Sequence, residues 1–148
     1  MDNSKVGNKV AVIGGGLVGC ETALSLAMDG KDVTVVEMLP ELMASGLPVP
    51  HMNRIMMLDL MKLHNVKSIL NNRLMGIEDG HIELMDTNFN PSALDVDTVV
   101  ISVGMTADKS LYNELVGKVS NLYLVGDANS ARNIMSAIWE GYEVARFI

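Results

Sequence analysis

The apolar positions of this chain fall into short unbroken runs separated by longer mixed segments, the layout of buried strands alternating with helices. Val10–Ile13 is one such run, rich in β-branched residues and followed at once by three glycines; it predicts a strand covered on both faces. Leu17 to Met28 is good helix material, and Asp29-Gly30 supplies its stop. Val33–Val36 predicts the next buried strand, ending on Glu37. Strand, helix and strand at this spacing make a βαβ unit with its two strands parallel. Met38 to Pro50 holds Pro40, Pro48 and Pro50 and predicts a loop. A second helix is expected over His51–Leu63, where Met52, Met56, Met57 and Met61 recur at helical spacing and read as a core stripe. Val66–Leu70 predicts a third parallel strand.

The pattern then changes. Arg73–Glu78 and His81–Asp86 flank Asp79-Gly80, a strong two-residue hairpin signal, and Asn90-Pro91 turns the chain toward a further short strand at Ala93–Val96. This predicts an antiparallel meander inserted as a crossover. Val99–Ile101 returns to the parallel sheet, closed by Gly104. Beyond it the sequence predicts a short helix near Leu111–Val116, a strand over Leu122–Val125 and a final helix near Asn133–Ile148. The expected fold is α/β, a parallel sheet of βαβ units with an inserted antiparallel meander, divided as 1–117 and 118–148.

Composition narrows the picture. A length of 148 residues suits one domain, and 49% hydrophobic content is enough for a buried core. Aromatic residues make up only 4%, so aliphatic side chains and the 12 methionines must supply the packing. A net charge of −7 argues against nucleic acid or an anionic membrane as partner, because both select clustered Lys and Arg. Met1–Lys9 is polar, and no apolar run approaches the ~18 residues needed to span a bilayer. With Cys20 as the single cysteine, no internal disulfide can form, which fits a reducing cytoplasm. A soluble cytoplasmic setting is expected.

The chemistry concentrates in Gly14-Gly15-Gly16-Leu17-Val18-Gly19, where Gly14, Gly16 and Gly19 have the G-x-G-x-x-G spacing of a Rossmann-type dinucleotide turn. Gly14 permits the tight turn, Gly16 lets a pyrophosphate approach the backbone, and Gly19 lets helix and strand pack closely. Free N–H groups and the dipole at the helix start favour the doubly negative pyrophosphate. A glycine-rich turn alone is weak evidence; a preceding strand, a following helix and an acidic residue ending the second strand make it strong. Glu37 lies 18 residues after Gly19, where a carboxylate can accept both hydroxyls of the adenosine ribose. It would repel the 2′-phosphate of NADP, and Met38 and Leu39 offer no compensating cation, so NAD(H) is the expected ligand. The bland reading of Glu37 is a solvated charge at a strand end. Cys20 directly behind the turn reads as packing rather than a redox thiol, since no second cysteine can complete a dithiol. His51, His64 and His81 show no ligand spacing, and no metal site is expected.

Three stretches together resemble one family. Val10–Ala23, VAVIGGGLVGCETA, is similar to the NADH-binding motif of FAD-dependent pyridine nucleotide oxidoreductases, including Glu21 two positions after the last glycine. Asp97–Gly104, DTVVISVG, resembles the strand and glycine that close the family's NAD domain. Asn121–Ile148 resembles its C-terminal flavin-contacting segment, most of all in enzymes of the 2,4-dienoyl-CoA reductase, 2-enoate reductase and trimethylamine dehydrogenase type. The resemblance implies Glu21 near the nicotinamide, Gly104 near the dinucleotide, and Gly126 with Asp127 against the ribityl chain of a flavin. The chain departs from the family in carrying Ala107-Asp108 where Pro-Asn often follows the closing glycine. It also holds neither the earlier FAD-binding glycine motif nor an FMN-binding barrel.

The sequence therefore reads as the NAD(H)-binding module of a larger flavin-dependent oxidoreductase, docking NADH for hydride transfer to a flavin. FAD belongs to the parent enzyme on this reading, and the chain by itself is expected neither to hold it nor to contain a complete active site. Its expected partners are NAD(H) and the rest of the flavin domain, whether the chain is an excised piece or a naturally short protein. The final helix carries Ile134, Ile138, Ala145 and Ile148 near one face, and a second copy of the chain is the expected cover for them. A regulatory Rossmann domain that senses nucleotide without catalysis is the alternative; the meander and Gly126-Asp127 favour the flavoenzyme reading, because a sensor needs neither.

Overall fold

The parallel strands form because their runs are apolar on both faces, and both faces are covered. In the computed structural model, which describes residues 5–46 and 48–148, β1 (Lys9–Ile13), α1 (Leu17–Met28), β2 (Asp32–Val36), α2 (His51–Leu63) and β3 (Lys67–Ile69) follow in order. β4 (Asn72–Glu78), β5 (His81–Asp86) and β6 (Pro91–Asp95) then make the meander, and β7 (Thr98–Ile101) returns to the first sheet. That sheet is wholly parallel with order β3-β2-β1-β7, and β4-β5-β6 is a separate antiparallel sheet. The expected α/β fold is what forms. Met1–Ser4 of the polar N-terminal stretch and Leu47 of the proline-containing loop lie outside the described residues.

Side-chain alternation along β1 and β2 sorts the core into two layers. Val10, Val12, Val33 and Val35 face Cys20, Ala23 and Leu24 of α1 and Met61 of α2. Ala11, Ile13 and Val36 face the other way, onto Ile82 and Leu84 of β5 and Val96. Helices thus cover one face of the parallel sheet and the meander covers the other. This is why β1 and β2 are buried at every position after their first residue. The meander serves as the crossover from β3 to β7.

The methionine stripe on α2 does not hold as read. Met61 is buried and Met57 packs against the core, but Met52 and Met56 are exposed. One neighbouring helix covers one face of α2, and residues 52 and 56 are rotated about 140° around the helix axis from 57 and 61, toward the opposite face.

The chain divides into a unit ending at Gly104 and a second unit, Met105–Ile148. The second unit holds α3 (Ser110–Leu115), a single 3-10 turn at Gly126–Ala128 and α4 (Ile134–Ala145). α4 starts where the Asn133 side chain accepts the Ser136 N–H at 2.8 Å, a standard N-cap. The strand expected at Leu122–Val125 is absent. Val125 has extended backbone, φ −136° and ψ 158°, but the segment pairs with no strand among the described residues. A strand is defined by its neighbour, and an apolar run alone supplies only the tendency. The described residues include no helix long and apolar enough to cross a membrane.

Candidate dinucleotide-binding site

β1 lies between β2 and β7, so the order of the sheet reverses at its carboxyl end. That is the point in an open parallel sheet where a crevice opens for ligands. The glycine turn sits there. The Gly14 N–H donates to the Val36 carbonyl at 2.8 Å, and the Ser102 N–H donates to the Ile13 carbonyl at 2.7 Å, so both flanking strands hold the turn. Gly14 has φ +102°, and a β-carbon on it would collide with the Ser102 carbonyl. A β-carbon on Gly19 would fall onto the Gly14 carbonyl oxygen, so α1 closes tightly on the turn itself.

Gly16 differs from both. Among the described residues beyond its chain neighbours, the nearest atom to a β-carbon placed there is the Ser45 hydroxyl oxygen, 3.9 Å away. The protein leaves this space open. Gly16 is also the N-cap of α1 and supplies no capping side chain, so the first-turn N–H groups have no intrahelical acceptor. Leu17 and Val18 on that turn are exposed, 39% and 64%. The uncapped start of α1 thus lies beside an open glycine, and helix starts of this kind favour negative charge in general.

Glu37 is where the sequence places it, at the end of β2, but it is not a solvated strand-end charge. It is buried, and its carboxylate accepts the Gly15 N–H at 2.6 Å and the Leu39 N–H at 2.8 Å. An ionised carboxylate offers about four lone-pair sites, so these two bonds leave about two unused. Cys20 is fully buried and its thiol donates to the Gly15 carbonyl at 3.4 Å. Burial, with the charges of Glu37 and Glu21 adding to it, pushes the Cys20 thiol up to about 11. The thiol stays protonated near neutrality, which removes the thiolate that redox chemistry needs.

Sequence reading missed the loop after β2. Leu42 and Met43 are buried, the Met43 N–H donates to the Gly15 carbonyl at 2.7 Å, and Leu42 packs on Gly15. Arg54 of α2 donates from Nε and Nη2 to the Leu42 carbonyl, at 3.3 and 3.1 Å, and pairs with Glu41 at 2.7 Å. Nothing in the local sequence signals these bonds, which join residues far apart in the chain. Asp97 is a second such residue: hydrogen bonds from the Lys9 and Asn8 N–H groups tie β7 to the start of β1 and hold its carboxyl below the usual range.

Residues 1–141 match the family described as pyridine nucleotide-disulphide oxidoreductase. The chain belongs to that family. A cinnamate reductase of Clostridium sporogenes is 41% identical over 148 residues, which are 100% of this chain and 22% of that protein. An NADH oxidase of Thermoanaerobacter brockii is 30% identical over 138 residues, covering 93% of this chain and 21% of the oxidase. A solved structure of a 2-naphthoyl-CoA reductase in complex with 2-naphthoyl-CoA superposes with a TM-score of 0.87 at 30% identity, over 97% of this chain and 22% of that one. The resemblance to flavin-dependent oxidoreductases of the 2-enoate reductase and trimethylamine dehydrogenase type therefore stands. The chain spans about a fifth of the length of these relatives.

Among the remaining residues the family points to, Glu21 is exposed on α1, and Gly104 has φ +97° with open space around it. Where the family often has Pro-Asn, Asp108 accepts the Ser110 N–H at 2.9 Å, two residues before α3 begins. In the second unit the Gly126 N–H donates to Glu140 at 2.7 Å, Asn129 reaches the same carboxylate at 3.4 Å, and Arg132 forms an ion pair with it. The neighbouring Asp127 is exposed, and its carboxylate accepts the Arg132 N–H at 3.4 Å. Glu140, 14 residues from the glycine it holds, carries no sequence signal for that role.

Proposed function

We propose that the chain is the NAD(H)-binding module of a flavin-dependent oxidoreductase, and that the dinucleotide lies across the carboxyl end of β1 with its pyrophosphate on Gly14–Gly19. The open space at Gly16 carries this reading: Gly14 and Gly19 are forced by contacts within the protein, whereas the protein itself imposes no such limit at Gly16. The free lone pairs of Glu37 take the adenosine ribose hydroxyls, Gly104 borders the dinucleotide, and Glu21 on α1 orients the nicotinamide end. Bound NADH would supply the hydride, and the flavin that receives it belongs to FAD held mainly by the rest of the parent enzyme. In that enzyme the segment from residue 118 onward completes the flavin domain, with Gly126 and Asp127 against the ribityl chain. A reducing cytoplasm suits a chain whose single cysteine is a buried thiol.

Titration of the chain with NADH, followed by nicotinamide fluorescence, tests the assignment. NADH should bind about thirtyfold more tightly than NADPH, roughly 2 kcal/mol, because a 2′-phosphate meets the Glu37 carboxylate. Glu37→Ala should narrow that gap and weaken both ligands, since Gly15 loses its carboxylate partner as well. A flat titration on folded protein overturns the reading, and equal affinities overturn the preference for NAD(H).

A further inference from the structure

The loop after β2 does more than connect. It is held by Met43 N–H to the Gly15 carbonyl and by Arg54 to the Leu42 carbonyl, so two adjacent residues of the loop are anchored, one to the glycine turn and one to α2. This places Ser45 facing Gly16, its hydroxyl 3.9 Å from where a β-carbon would stand. Among the described residues, and apart from the backbone of α1 and the chain neighbours of Gly16, no other heavy atom lies within 4 Å of that point. Ser45 is exposed, and no hydrogen bond engages it among the described residues. Its hydroxyl is thus available as a donor beside the Gly16 space.

We propose that residues 41–46 form the second wall of the pyrophosphate site, with the Ser45 hydroxyl donating to a phosphate oxygen across from Gly16 and Arg54 positioning the loop. This rests on the dinucleotide reading above. The phosphate then receives backbone N–H groups from one wall and a hydroxyl from the other. Arg54 acts at a distance: its guanidinium is occupied by the Leu42 carbonyl and Glu41, and it fixes where Ser45 stands. The wall recognises the phosphates common to dinucleotides and makes no contact with the base.

The test compares NADH, followed by fluorescence, with adenosine, followed by chemical-shift change, on the same folded protein. Ser45→Ala should weaken NADH about tenfold, the worth of one hydrogen bond to a charged acceptor, and leave adenosine unchanged. Ser45→Thr keeps the hydroxyl and should stay within about twofold of the parent. Arg54→Ala should weaken NADH, and Ser45→Ala/Arg54→Ala should be no weaker than the worse single variant, because Arg54 works through Ser45. An Arg54 that merely stabilised the fold would weaken adenosine equally, and its effect would add to that of Ser45→Ala. If the parent chain binds NADH and Ser45→Ala binds it equally well, or if adenosine is lost in step, the second wall is wrong and the dinucleotide site survives. A parent chain that binds no NADH overturns both.

Discussion

Two glycine segments of this chain are built to the same local plan and held by different means. In each, a glutamate carboxylate takes a glycine N–H: Glu37 holds Gly15 at 2.6 Å, and Glu140 holds Gly126 at 2.7 Å. Around Gly15 the strands β1 and β2 are buried after their first residues, and Glu37 itself is 8% exposed. Around Gly126 neither the 3-10 turn nor α4 contains a buried residue, and Glu140 is shared with Asn129 and Arg132. The first segment is fixed by close packing, which a single added atom disturbs. The second is fixed by a partly buried polar clasp, which an added atom disturbs far less. One is preorganised by its own unit. The other keeps its order mainly through a few side-chain bonds.

The sharpest way to break this comparison is to add one methyl group to each segment. Gly19→Ala puts a carbon onto the Gly14 carbonyl and should cost about 3 kcal/mol in thermal or denaturant unfolding. Gly126→Ala meets only Ala137 at 3.4 Å and a φ of +64°, and should cost about 1 kcal/mol. Equal losses would mean that packing does not distinguish the two segments.

Gly16→Val sharpens the contrast within the first segment. Because the space at Gly16 is open, stability should change by less than about 0.5 kcal/mol. NADH affinity should fall about a hundredfold, since the side chain fills the place of the pyrophosphate. Circular dichroism and fluorescence titration separate the two effects. A variant that unfolds would show that the space at Gly16 is not open, and a folded one that binds normally would place the ligand elsewhere.

A smaller effect is expected at high pH. The Cys20 thiol is raised from 9.0 to about 11, so the fold favours its neutral form. That contribution is complete below pH 9 and is lost as the pH rises from 9 through 11. Cys20→Ala should flatten this alkaline decline, and the native thiol should resist alkylation at pH 8 until the protein is unfolded. Rapid labelling of the folded chain would contradict its burial against the turn.

The smallest change concerns α4, whose Ile134, Ile138, Trp139 and Tyr142 are exposed. Covering such a face removes apolar area from water at ~25 cal/mol per Å², so the chain in solution should pair with a second copy. Ile138→Glu should then convert a dimer to a monomer in light scattering, with little change in the unfolding of the first unit. A parent chain that is monomeric at all concentrations would show that the face stays in water.

The sequence alone determined the elements whose causes are local. Apolar runs marked β1, β2 and β7, Asp79-Gly80 marked the hairpin, and the spacing of Gly14, Gly16 and Gly19 marked the turn, because each depends on residues within a few positions of one another. The family was legible for the same reason, in stretches read directly. Tertiary structure decided what depends on distant neighbours. It sorted Val12 and Ile13 onto opposite layers, left Met52 and Met56 outside, and left Leu122–Val125 extended without a strand to pair with. It also turned Glu37 from a free carboxylate into the partner of Gly15, 22 residues away, and set Ser45 opposite Gly16. Propensity and spacing act along the chain over a few residues. Hydrogen bonds and burial act through space, and only the pairing of the strands says which distant residues will meet.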